Sequence, residues 1–170
     1  MDRDRQSLGV TKQAAQKRFV GPAAEAELPV RPPWMTEQAA AMVHQAHRVA
    51  RALGCRYIDV DHLVLAALHD RSSRAYAAVR GLGAAPAEVN GAILAAIPPG
   101  PGSGPGTLPF TPRAKQALDP AGIRRQRDEQ VGPEHVLMNV LASRKGCPAQ
   151  RTLHEFGVTE RGLRSWLASN

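Results

Sequence analysis

Between Met35 and Gly54 the apolar residues Ala39, Met42, Val43, Ala46, Val49, Ala50 and Leu53 return at intervals of three and four, with polar residues between them. That spacing lines one face of a helix, and the pattern stops at Gly54, where a helix ends readily. Thr36 stands where an N-cap belongs. Thr111 heads a second such stretch, with Pro112 in the favoured first helical position. The strongly apolar run "DVDHLVLAAL" at 59–68 predicts a short second helix beginning at Asp59. Its counterpart is "GPEHVLMNVL" at 132–141, beginning at Gly132 with Pro133 in the first turn. Third and fourth helices follow in each half, divided by "GLGAAP" in the first and "EFGVT" in the second. "DPAG" at 119–122 is expected to kink or interrupt the helix that starts at Thr111.

The two halves match each other. "MTEQAAAMV" at 35–43 lies over "FTPRAKQAL" at 110–118, and "VRGLGAAPAEVNGAI" at 79–93 lies over "LHEFGVTERGLRSWL" at 153–167. Identities are few but fall at corresponding places: Thr36 with Thr111, His62 with His135, Leu68 with Leu141, Gly83 with Gly157. A duplicated unit of about sixty residues is the economical explanation. Between the halves, nine of the twelve residues at 98–109 are proline or glycine, a mixture that neither helix nor strand tolerates. The chain thus reads as a head (1–20), a linker (21–34), a first repeat (35–97), a Pro/Gly linker (98–109) and a second repeat (110–170). The expected fold is all-α: two pseudo-symmetric four-helix repeats packed as one eight-helix domain, because one such unit has too thin a core to stand alone.

Composition agrees with helices. Aromatics make up 4% of the chain and alanine does much of the apolar work, which disfavours a β-sandwich. The excess of Lys and Arg (22 against 15 acids) sits mainly in residues 1–20, with five basic and two acidic groups, and 110–170, with ten and six; the stretch 35–97 is nearly balanced at six and five. A net positive charge favours anionic partners in general. No apolar run reaches the length of a membrane span, and "MDRDRQSLGV" lacks the apolar core of a secretory signal. Cys55 and Cys147 make no metal or redox spacing, so a cytoplasmic location is expected.

Little in the sequence suggests catalysis. A phosphate-binding loop needs a lysine and a Ser or Thr after its glycines, and the segment 98–109 contains no lysine and no helix start. His44 and His47 lie three apart on the first helix; with no acidic or cysteine partner nearby, ordinary polar positions are favoured over metal ligands, and no cofactor is expected. His62 and His135 occupy matched positions, which argues for a shared structural task, such as a hydrogen bond tying the second helix to a loop, over general acid–base chemistry.

"FTPRAK", followed by "GPEHVLMNVL" and then "LHEFGV", resembles the Clp N-terminal repeat, the double repeat at the amino end of ClpA- and ClpC-type protein unfoldases. The resemblance covers both repeats and implies a non-enzymatic module that docks protein substrates and adaptors of the ClpC–ClpP system. It implies phosphoarginine as one ligand: a carboxylate would take the guanidinium, and a hydroxyl at a helix start the phosphate. Carried onto this chain, the positions are Thr111 with Glu134 and, with a shorter acid, Thr36 with Asp61. All four also have a purely structural reading, as N-caps and first-turn acids. The resemblance further implies a groove for cyclic peptide antibiotics at Phe110 and Lys115, although Phe110 is equally placed to act as a hydrophobic staple. "SLGVTKQAAQKRF" at 7–19 resembles the turn and recognition helix of a helix-turn-helix in short ClpC-like proteins of high-GC bacteria. With six residues before it, the expectation is a truncated remnant without order of its own. Two function classes follow: a binding module that acts as decoy, modulator or adaptor for the ClpC unfoldase, and a DNA-binding regulator whose repeats sense a ligand. Nucleic acid is the less expected partner.

Overall fold

The computed structural model describes residues 31–121 and 130–170. Among them are eight helices: α1 (Glu37–Ala52), α2 (Val60–Ala67), α3 (Arg74–Gly81), α4 (Pro86–Ala96), α5 (Pro112–Leu118), α6 (Pro133–Ala142), α7 (Pro148–Glu155) and α8 (Glu160–Ser169). The chain is all-α, and four helices fall in each repeat. The helix-turn-helix-like stretch at 7–19 lies outside the described residues.

Local chemistry explains the helix starts. Thr36 and Thr111 have extended backbones, and their hydroxyls accept from the N–H three residues on, Ala39 at 3.0 Å and Ala114 at 3.2 Å. Ser73, Cys147 and Thr159 cap α3, α7 and α8 in the same way. At Gly83 and Gly157 the backbone turns left-handed, with φ of 88° and 79°, and closes the C-terminal turns of α3 and α7. "DPAG" breaks the second repeat's first helix as expected: α5 ends at Leu118 and a turn follows at 119–121.

Every residue of α2 is buried, and so are seven of the ten in α6. That is the reason their sequences are apolar on nearly every side: these two helices form the centre, and the others wrap them. Helix α2 packs on α1, α4, α5, α6 and α7, and α6 packs on α1, α2, α3, α5 and α8. The core therefore runs continuously from Ile58, Leu63, Val79 and Ile93 of the first repeat to Val131, Leu137, Leu153 and Leu163 of the second.

The repeats also exchange short backbone contacts. Residues leading into α1 pair with those leading into α6: Met35 bridges Val131, Thr36 N–H donates to Val131 C=O at 3.0 Å and Val131 N–H to Trp34 C=O at 2.8 Å. Residues leading into α5 pair with those leading into α2: Ile58 bridges Phe110, Thr111 N–H donates to Ile58 C=O at 2.9 Å and Ile58 N–H to Pro109 C=O at 2.9 Å. The two bridges are the same contact seen from opposite sides of a pseudo-two-fold axis. In both, the start of a first helix meets the start of the other repeat's second helix.

The proline- and glycine-rich segment is strapped onto the end of α1. Gly100 and Gly102 donate to Leu53 and Gly54 carbonyls, the Ser103 hydroxyl donates to Arg51 and Cys55 carbonyls, and Leu108 N–H donates to His47 Nε2 at 3.1 Å. Buried Leu108 anchors its end. Among the described residues no helix is long and apolar enough to cross a membrane.

Candidate ligand-binding notches

The crossed bridges create two notches, each where the capping threonine of one repeat faces the start of the second helix of the other. Thr111 therefore sits beside the α2 start and its Asp59–Asp61 acids, and Thr36 beside the α6 start and Glu134. The sequence pairing had grouped Thr111 with Glu134 and Thr36 with Asp61, each within one repeat. The structure gives each threonine's backbone contact to the opposite repeat.

In the first notch a carboxylate already occupies the centre. Asp59, the N-cap of α2, accepts from Val60 N–H at 2.8 Å and from the Thr111 hydroxyl at 2.8 Å through Oδ1. Its Oδ2 accepts from Arg113 at 2.7 Å. Burial alone would raise the Asp59 pKa, but the Val60 and Thr111 hydrogen bonds and the Arg113 charge together outweigh it and hold the carboxyl below its ordinary value. Neither Asp59 nor Arg113 stood out in the sequence as a site residue; the signal was the acid at the N-cap of "DVDH" where the other repeat has glycine.

Asp61 turns away from this notch and into the interface. It is 6% exposed and accepts from Ala149 N–H at 2.8 Å, at the start of α7 in the other repeat. Burial pushes its pKa up, against the Ala149 bond. Beside it the Cys147 thiol is pushed up to about 11 by burial, far from the range of a reactive thiolate.

The second notch is built differently. The N-cap of α6 is Gly132, and the Glu134 side chain folds back over it: a Cβ placed on Gly132 would collide with both carboxylate oxygens of Glu134. Glu134 is 6% exposed, yet its cationic neighbour, Arg74, stands 3.9 Å away, beyond hydrogen-bonding distance. The Thr36 hydroxyl accepts from Ala39 N–H and donates to nothing among the described residues. A cavity of about 330 Å³ lies along α1 next to this notch, lined in part by Gln38, Met42, Arg48, Ser73 and Pro133.

His62 and His135 perform the shared structural task the repeat suggested. Each takes the N–H of its own N-cap residue on Nδ1 at 2.9 Å, Asp59 for His62 and Gly132 for His135. His62 Nδ1 must be unprotonated to accept, and burial lowers its pKa, against the pull of Asp61 and Asp59. His47 is used by Leu108, and among the described residues no group of three or more His, Cys, Asp or Glu is arranged to hold a metal ion.

Lys115 lines an open groove of about 530 Å³ with Trp34, Leu118 and Pro120. Phe110 is half-buried against the core beside Ile58 and is not part of that lining. The arrangement as a whole offers carboxylates, hydroxyls and backbone donors for recognition.

The Clp repeat (R) N-terminal domain family matches residues 34–156. The chain is 31% identical over 133 residues to an ATP-dependent Clp protease ATP-binding subunit ClpA homolog of Cyanidium caldarium, a match covering 76% of this chain and 15% of that protein. It is 31% identical over 156 residues to an uncharacterized protein of Mycobacterium tuberculosis (89% of this chain, 60% of the other), and 26% identical over 157 residues to the chloroplastic chaperone protein ClpC of Pisum sativum (91% and 16%). The chain thus spans 15% and 16% of the ClpA homolog and the ClpC chaperone, and 60% of the mycobacterial protein. A chain solved in preliminary structural investigations of a malarial protein secretion system shares the fold, with a TM-score of 0.65, 12% identity, and coverage of 80% of this chain and 93% of that one.

Proposed function

Because the chain belongs to the Clp repeat (R) N-terminal domain family, we propose that it is a non-enzymatic protein- and peptide-binding module of the Clp protease system. Its guests are substrates or adaptors of ClpC-type unfoldases, and phosphoarginine is the small ligand whose chemistry suits its second notch. The observation that carries this reading is the under-used polar pair there. Thr36 has a hydroxyl proton to donate, and Glu134 is a buried carboxylate whose cationic neighbour, Arg74, stands at 3.9 Å. A phosphoarginine guanidinium would make with Glu134 the paired hydrogen bonds that Arg74 does not, while its phosphate takes the Thr36 hydroxyl.

Isothermal titration with phosphoarginine tests the proposal. The wild type should bind, and Glu134→Ala should lose most of the heat. Equal heats for the two proteins, or none for the wild type, would end it. As a module that meets the same guests as the full unfoldase, it would act as decoy or modulator. Added in excess, it should slow degradation of a phosphoarginine-tagged substrate by a ClpC–ClpP pair, and an unchanged rate would remove that role. Cyclic peptide antibiotics belong to the same reading through the Lys115 groove. There a Lys115→Ala variant should bind such a peptide more weakly, with undiminished binding the contrary result.

A further inference from the structure

The N-caps of α2 and α6 have nearly the same backbone, φ −105° and ψ 173° at Asp59 against φ −101° and ψ 174° at Gly132. One bears a carboxylate and the other no side chain. At Asp59 three donors of different origin converge on that single carboxylate: a backbone amide, the Thr111 hydroxyl and the Arg113 guanidinium, at 2.8, 2.8 and 2.7 Å. A backbone N–H, a hydroxyl and a guanidinium are also the groups that would hold an external oxyanion. At Gly132 the equivalent of Arg113 is Gln38, two residues after the capping threonine in each case, and its amide reaches instead toward Ser72 C=O at 3.4 Å.

We infer that Asp59 is a built-in anion that closes the first notch, so that the chain has one open ligand notch and not two. Thr111 and Arg113 are held by Asp59 and are not offered to a phosphate; an incoming phosphate would meet a carboxylate at the same point and be repelled. Asp61, two residues on, is 6% exposed and accepts from Ala149 N–H across the interface, so its carboxylate faces away from this notch. This inference rests on the reading of the notches as ligand sites, and it names which of the two is in use.

Removing the internal anion should open the notch to an external one. Asp59→Gly reproduces the residue that the sister repeat carries at this backbone geometry, and Asp59→Ser keeps an N-cap hydroxyl should the glycine variant unfold. Amide NMR with inorganic phosphate should give saturating shifts at Val60 and Thr111 in the variants and none at those residues in the wild type. Both variants folded and silent toward phosphate would overturn the inference. So would a wild type in which phosphoarginine shifts Val60 and Thr111 as strongly as Thr36 and Gly132, or binds at two per chain. A wild type that binds no phosphoarginine at all defeats the proposed function alone, since the phosphate arm still reports on the first notch.

Discussion

The two repeats share a capping threonine on the first helix and a histidine in the first turn of the second, but the N-cap of that second helix is Asp59 in one and Gly132 in the other. In the first, the N-cap acid Asp59 accepts from the Thr111 hydroxyl, and Asp61, two residues on, accepts from Ala149 N–H at the start of α7. In the second, a glycine at the N-cap leaves room, and Glu134 lies back over it with a distant cation for company. The acid after each N-cap thus has a different partner: Asp61 accepts from Ala149 N–H, and Glu134 has Arg74 at 3.9 Å.

That contrast can be broken at its strongest point by removing the acids. Asp61→Ala leaves the buried Ala149 N–H without its acceptor and should cost about 1–3 kcal/mol of stability. Asp61→Asn, which keeps an acceptor and removes a charge that burial disfavours, should cost clearly less. Glu134→Ala should cost under about 1 kcal/mol, because Glu134 accepts no hydrogen bond among the described residues. Chemical denaturation of the three variants measures this, and equal losses for Asp61→Ala and Glu134→Ala would dissolve the distinction.

The threonines sharpen it further. Thr36→Ala removes a cap bond, worth about 1 kcal/mol, whereas Thr111→Ala removes a cap bond and the hydroxyl on Asp59, so its loss should approach about 2 kcal/mol. Denaturation midpoints that fall in the reverse order would contradict the assignment of Asp59 as the internal partner of Thr111.

The smallest effect concerns pH. In the unfolded chain His62 titrates near 6.5; in the fold its pKa is lower, so the unfolded state carries more protons between the two values. Stability from this source is complete above about pH 6.5 and falls as the pH drops toward the folded-state pKa. His62→Gln can still accept the Asp59 N–H, as glutamine does in a capping box, and should flatten part of that slope. His47, lowered by burial and by Arg51 and His44, keeps the remainder. A melting-temperature profile from pH 7.5 to 5 that is identical in wild type and variant would remove His62 as a contributor.

Much of this was legible before any coordinates. Thr36 and Thr111 read as caps because a cap bond closes over three residues, a distance at which sequence and structure are nearly the same thing. The interruption at "DPAG" and the structural use of His62 and His135 are local for the same reason. The partners of the threonines were not legible. Thr111 meets Asp59 across 52 residues of chain, and Thr36 meets Val131 across 95, so no periodicity carries them. The Pro/Gly segment shows the same limit: its composition forbids helix and strand, yet its glycines and Leu108 are bonded to the end of α1.

The sequence by itself determined the helices, their caps and their duplication, because each depends on bonds and apolar spacings that close within a turn or two. Only the tertiary structure decided which helix start each threonine meets and that Asp59 bonds both Thr111 and Arg113. Those contacts exist only once two buried helices have docked across a pseudo-two-fold axis, which brings together residues that no local pattern relates.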